Sequence, residues 1–330
     1  MWVLALSVCL VVPNRLWAAA DPNVAAFNAV YAQANEHLKQ GRYDEAMKTI
    51  AAVESAVKEN LDRQPGRVIN VLMIKARVYS LQMDAEGLER FLAQFEAQYA
   101  DTPVASWVQR VAWNERMRFY RLTENLPQAV RALEKYNELE GQRVRGQDKT
   151  NAFEALSRDF HVHVMTPTEI GDLYRYMGKM ELALEKYRPA LAYVTAHFES
   201  MRAWDDHLKQ LFSRPLSPSK YMRGILPTAI RECEAPQDSP LGILGREVAC
   251  EAEQAEWLLS VGRGYRQQRV LDSALKRYRR AQQALEANQS AIDSLDANDK
   301  RRYLELQKQI AKGVDSCNQE LARFSENQAR

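Results

Sequence analysis

Glycine and proline are scarce, 13 and 12 in 330 residues, which argues against a β-rich fold with its many tight turns. Charge of one sign is missing too. The 45 basic and 43 acidic residues leave a net charge of +2, so no bulk field draws the chain to nucleic acid. No apolar run reaches the roughly 20 residues that cross a bilayer. No phosphate loop, dinucleotide fingerprint, Gly-x-Ser-x-Gly elbow or HExxH motif is present, so the motif-bearing enzyme classes have no support. What remains is ordinary globular composition, 46% hydrophobic, 27% charged and 9% aromatic. It suits one large domain or two smaller ones, and excludes a disordered, collagenous or polytopic membrane chain.

Trp2 to Val12 is nearly all apolar, and Ala18 and Ala20 follow it shortly before Asp21-Pro22. The small residues fit the A-x-A rule, so residues 1–20 are expected to be a cleaved secretory signal and the protein exported, to the periplasm. No Lys or Arg precedes the run, and a retained anchor or a buried N-terminal helix are the alternatives. Val8 before Cys9 excludes a lipobox. Export permits disulfides. Cys233 and Cys250 bracket a proline-containing stretch, Glu234 to Gly242, and are the expected pair; closing that loop stabilises by about 3 kcal/mol in the chain-entropy account. Two independent buried thiols are the alternative. Cys317 lies on an apolar helical stripe and is expected in the core.

Apolar residues recur at three- and four-residue spacing through nearly every window from 24 to 325, the signature of amphipathic helices. Thr166-Pro167-Thr168-Glu169 reads as a cap, a proline at the first helical position and a capping glutamate. Thr102-Pro103 reads as a second such start. Phe160 to Val164 is the one period-two segment, a short strand or a helix end.

An internal repeat then sets the fold. Gly171, Tyr174, Gly178, Ala183, Tyr187 and Ala190 form one copy, and Gly262, Tyr265, Ala274, Tyr278 and Ala281 repeat its offsets. Gly41, Tyr43, Ala46, Ile50 and Val53 match its second half. Weaker copies carry Ala76, Tyr79, Leu88, Leu92 and Phe95, then Trp113, Met117, Tyr120, Ala129, Leu133 and Tyr136. The pattern resembles the tetratricopeptide repeat, a helical hairpin of about 34 residues whose apolar face is buried by stacking. Here the equivalent positions Ala46, Leu88, Ala129, Ala183 and Ala274 lie further apart than that period. The resemblance therefore implies an all-α, irregularly spaced α-solenoid of helical hairpins. Beyond the signal, three segments are expected: 21–142 with N-terminal hairpins, 143–254 with a central repeat and a disulfide-bearing insertion, and 255–330 with a last hairpin. The polar stretch from Glu140-Gly141 to Gly146-Gln147 is the expected first joint. From Asp299, Tyr303, Leu306, Ile310, Val314, Cys317, Leu321 and Phe324 form a stripe read as a capping helix, with a dimeric coiled coil as the alternative. Gly313 beside the stripe weakens a long continuous helix.

Candidate sites are few. His161 and His163 make a His-x-His pair without the further ligands a zinc site needs, and no metal or other cofactor is expected. Asp205-Asp206-His207 places an acid–base trio in sequence, but neighbours on a helix point apart; no enzyme is expected. The tetratricopeptide resemblance implies a concave groove lined by the first helix of each hairpin. Position by position it receives Tyr31, Asn35, Arg77, Asn114, Arg118, Arg121, Asp172, Arg175, Tyr176, Arg263 and Arg266. Arginine forks pair with carboxylates bidentately, so an acidic protein or peptide segment suits the face. The expectation is an exported scaffold or adaptor for an envelope protein, without nucleic acid and without a transmembrane span in the mature chain. An accessory module that binds cell-wall polysaccharide and positions an enzyme is the alternative.

Overall fold

The structure, a computed structural model, describes residues 22–61, 64–146, 152–202 and 218–328. The expected signal, residues 1–20, lies outside them, as do Asp205, Asp206 and His207. The fold is all-α, with no strand among the described residues. No described helix is long and apolar enough to cross a membrane.

The chain divides into two compact units, one of residues up to Ala132 with Leu258–Leu271, the other of Leu133–Trp257 with Asp272–Arg330. This differs from the three segments read along the sequence, because residues 258–271 belong with the N-terminal hairpins. The expected joint at Glu140-Gly141 is continuous helix as far as Gly146.

Among the described residues, five helical hairpins share one turn. Their helices are α1 (Pro22–Lys39) with α2 (Tyr43–Ala51), α4 (Gly66–Gln82) with α5 (Ala85–Gln98), and α6 (Ala105–Leu122) with α7 (Leu126–Gly146). Further on come α9 (Thr166–Tyr176) with α10 (Met180–Ala196), and α13 (Cys250–Tyr265) with α14 (Gln268–Ala287). At each turn one residue takes a left-handed backbone: Gly41, Met83, Glu124, Gly178 and Arg266, with φ from +49° to +73°. The next N–H then reaches back five residues. Arg42 bonds His37, Asp84 bonds Tyr79, Asn125 bonds Tyr120, Lys179 bonds Tyr174, and Gln267 bonds Gly262, at 2.8–3.0 Å. This is the Schellman closure, which satisfies carbonyls that a helix end leaves open. Four residues after each bond donor sit Ala46, Leu88, Ala129, Ala183 and Leu271, all fully buried.

That alignment corrects one register. The turn bonds make Gly262 the counterpart of Tyr174 rather than of Gly171, and Leu271 rather than Ala274 the counterpart of Ala183. Gly262 accordingly packs on Leu271, its own hairpin partner, where an added Cβ would meet the leucine at 2.8 Å. Gly171 instead faces the ring of Tyr187, at 2.4 Å from such a Cβ. Both glycines do permit close approach of paired helices.

Proline explains another departure. Thr166 does not cap a new helix: α8 (Ala152–Phe160) runs through a π-helical turn, His161–Met165, straight into α9. The Thr166 N–H bonds the His161 carbonyl five residues back, and Thr168 Oγ1 donates to the Val164 carbonyl at 2.6 Å. Pro167 cannot donate to residue 163 and its ring crowds that turn, so the widened π turn relieves the conflict. The same occurs before Pro227, where the π turn Tyr221–Ile225 leads into α11 (Leu226–Glu234). A third π turn, Gly245–Ala249, joins the short α12 (Pro240–Leu244) to α13. Thr102 likewise caps nothing; its hydroxyl donates to the Tyr99 carbonyl, and α6 begins at Ala105. The remaining short helices are α3 (Glu54–Glu59), α15 (Gln289–Ser294) and the single turn Pro218–Lys220 before the second π turn.

The second unit ends on α16, Ala297–Gln328, a single helix of 32 residues. It buries Tyr303, Ile310 and Cys317. Gly313 does not weaken it as expected. A Cβ there would stand 2.3 Å from the Tyr278 ring, so the glycine is where α14 and α16 touch.

Candidate functional site

In the first unit, α4, α6 and the end of α13 surround a small cleft lined by Arg77, Ser80, Glu115, Arg118 and Tyr265, with Leu81, Leu122 and Val261 as its apolar wall. It holds about 10 Å³, space for one water. Ser80 and Glu115 are 4% and 1% exposed. Three lining residues each keep a fully buried polar atom with no hydrogen-bond partner in the protein: Arg77 Nε, Ser80 Oγ and Glu115 Oε1. A fourth such atom is Oδ1 of Asn114, the residue before Glu115 on α6. Native interiors pair nearly all such groups with protein or ordered water, so the cluster calls for a further hydrogen-bonding partner.

The electrostatics are mixed. Arg77 Nε stands 3.8 Å from Glu115 Oε1, an ion pair without a hydrogen bond. The Arg77 guanidinium also lies 5.7 Å from the Tyr265 ring centroid, a cation–π distance. Burial opposes its charge, but Tyr265, Glu115 and Tyr31 more than offset that and hold its pKa above the ordinary value. Among the described residues Arg118 has no ion-pair partner. The cleft therefore presents one uncompensated guanidinium beside a compensated one.

Tyr265 belongs to the turn that closes the α13–α14 hairpin. Gln267 fixes that turn by donating from Nε2 to the Tyr265 carbonyl at 3.1 Å. Its Oε1 accepts from Tyr43 Oη at 2.9 Å. Arg266, exposed, lies 3.9 Å from the Glu36 carboxylate. Residues far apart in sequence thus meet at the tips of the first and last hairpins.

The groove residues expected from the sequence are only partly gathered here. Arg77 and Arg118 line the cleft, with Tyr31 beside Arg77. Arg121 is buried, Arg263 is exposed, and Asn35 donates to the Tyr31 carbonyl. None of these lines the cleft. Arg175 and Tyr176 belong to the second unit, and there the expectation is overturned. Arg175 is 4% exposed, and its guanidinium bonds Glu232 at 2.6 Å and also Glu253. Tyr176 donates to the same Glu253 carboxylate at 3.2 Å, and Asp172 accepts from Tyr187 at 2.6 Å. Glu232 further accepts from Tyr303 at 2.8 Å and pairs with Arg302. The face given to a partner is instead spent on a buried ionic knot. Three of the four helices that bring a charge to it, α9, α11 and α13, are each preceded by a π turn; α16, which brings Arg302, is not.

Two further features singled out in the sequence lie in the second unit. Cys233 and Cys250 are both free and buried rather than bridged. Burial pushes the Cys233 thiol up to about 11 and the Cys250 thiol up to about 12, and Cys250 Sγ donates to the Gly245 carbonyl at 3.3 Å. His161 and His163 go to different partners. His161 Nε2 is 3.1 Å from Tyr136 Oη, whereas His163 stacks on Tyr193, whose ring also stacks against His197.

Sequence reasoning missed Ser80, Glu115 and the closing role of Tyr265. Ser80 and Glu115 sit on amphipathic helices with no local feature that sets them apart. Tyr265 carries a signal, its place in the repeat, but that place does not show that it closes a cleft. No protein-family model matches the chain, and no curated protein matches it.

Proposed function

We propose that the protein is an exported, tetratricopeptide-type adaptor without catalytic activity, and that its first unit binds a segment of an envelope protein. The five identical hairpin turns support the repeat reading. One observation carries the binding site: Arg118, without an ion-pair partner, in a cleft with three buried polar atoms that have no hydrogen-bond partner in the protein. A guanidinium of this kind selects an acidic or carbonyl-rich segment, since charge-assisted bonds contribute about 1.5–3 kcal/mol each when partly desolvated.

The test is cross-linking of the native protein in envelope fractions, followed by mass spectrometry and by affinity measurement with the captured partner. Arg118→Glu is expected to weaken that affinity at least tenfold with helicity unchanged by circular dichroism. Unchanged affinity overturns the site. Co-sedimentation with purified cell wall, in place of protein capture, overturns the adaptor reading in favour of a polysaccharide-binding module. Arg175 is unsuitable for this test because its charge is structural.

A further inference from the structure

Resting on that reading of the cleft, we infer that the turn Tyr265–Arg266–Gln267 is a built-in gate over the cleft, and that a partner must displace it to reach Arg77, Ser80 and Glu115. Beyond the packing of the Tyr265 ring on the apolar core of the first unit, the turn is held by polar and aromatic contacts. They are the Gln267–Tyr43 bond, the Tyr265 ring beside Arg77 and the loose Arg266–Glu36 pair. None of the three turn residues is fully buried. Contacts of this kind open at lower free energy than a packed core does.

The turn also carries strain. Arg266 holds a left-handed φ of +49°, a conformation that costs a residue with a Cβ and that glycine adopts freely at Gly41 and Gly178. The same backbone closes all five hairpins, so strain alone does not mark a gate. Here the turn residue Tyr265 lines a cleft that holds three buried polar atoms with no hydrogen-bond partner in the protein. The closed state leaves Arg77 Nε, Ser80 Oγ and Glu115 Oε1 without hydrogen-bond partners in the protein. It keeps Ser80 and Glu115 almost wholly from solvent. An open state returns them to water or to a ligand's donors and acceptors. Ligand and turn thereby compete for one place, and the partner's affinity is reduced by the fraction of molecules closed.

The experiment introduces a reporter thiol with Ser80→Cys and measures its alkylation by N-ethylmaleimide in the full chain, site by site, by peptide mass spectrometry. The native thiols Cys233, Cys250 and Cys317, all buried, report global unfolding in the same sample. Tyr265→Ala is expected to speed alkylation at position 80 at least tenfold while the native thiols keep their rate. Tyr43→Phe, which removes one hydrogen bond from a half-buried residue, is expected to speed it several-fold. Equal rates at position 80 in all backgrounds overturn the gate, as does acceleration that the native thiols share in both variants. If Tyr265→Ala proves unfolded, Tyr43→Phe alone decides. Gated alkylation together with unchanged partner affinity in Arg118→Glu leaves the gate standing and removes the binding reading. Ungated alkylation with weakened affinity does the reverse.

Discussion

Arg175 shows how a residue's meaning depends on partners that local sequence does not reveal. Its carboxylates lie 57 and 78 residues further along the chain. Removing one member of a buried pair leaves the other charge without solvent or counter-ion, which costs about 3–5 kcal/mol. Arg175→Met is therefore expected to destabilise by about 3 kcal/mol, the low end, because Glu232 keeps Tyr303 and Arg302. Equilibrium urea denaturation of the variant checks the value. His163 offers a milder case. Burial against its neighbours lowers its pKa below the ordinary 6.5, with His197 acting the same way and Asp159 opposing. The folded state thus prefers the neutral imidazole. The stability this contributes is present above pH 6.5 and is lost as pH falls from there through the folded value. His163→Gln is expected to flatten the decline in melting temperature on acidification below pH 6.5, read by thermal melts at stepped pH.

At the level of helices and turns, the sequence was legible wherever physics is local. Gly41 and Gly178 sit at the left-handed turn positions, and the weaker copies carry Met83 and Glu124 there instead. The strain that glycine avoids is about 1–2 kcal/mol. Nothing stands within 4 Å of a Cβ built on Gly178, so Gly178→Ala isolates that cost and is expected to destabilise by about 1 kcal/mol. Glu124→Gly, at an exposed turn, is expected to stabilise by about 0.5 kcal/mol, since relief of strain outweighs the added freedom of the unfolded chain. Paired chemical denaturation of the two variants gives both signs. The register of the last hairpin was misread for a physical reason. A shift of three residues rotates a helix by about 300°, so the apolar stripe nearly superposes on itself and periodicity does not expose the error. The π turns were illegible as such. Pro167 and Pro227 announce a conflict with the helix, but whether the chain stops or widens is decided by the helices packed around it.

For the molecule as a whole, the all-α class followed from periodicity and from the shortage of glycine and proline. Half of the cleft was legible, through Arg77 and Arg118; the other half needed contacts between residues far apart in the chain, as between Arg77 and Tyr265. The thiols belong at this scale because they report the state of the entire fold. With Cys233 raised to about 11 and Cys250 to about 12 by burial, almost no thiolate exists at neutral pH. Alkylation at pH 8 is expected to spare Cys233, Cys250 and Cys317 in the folded protein and to modify all three after denaturation without reductant. Failure of Cys233 and Cys250 to react in denatured, unreduced protein would restore the disulfide.

The place of residues 258–271 in the first unit also has a bearing on how the protein is born. A ribosome releases its N-terminal hairpins long before the segment that carries Tyr265, at about 5–20 residues per second. Those hairpins expose Arg77 and their unfinished apolar flank for the whole interval, and the loop that must close is long. The part of the chain made first is therefore completed late, and during that delay it is the part most in need of a chaperone.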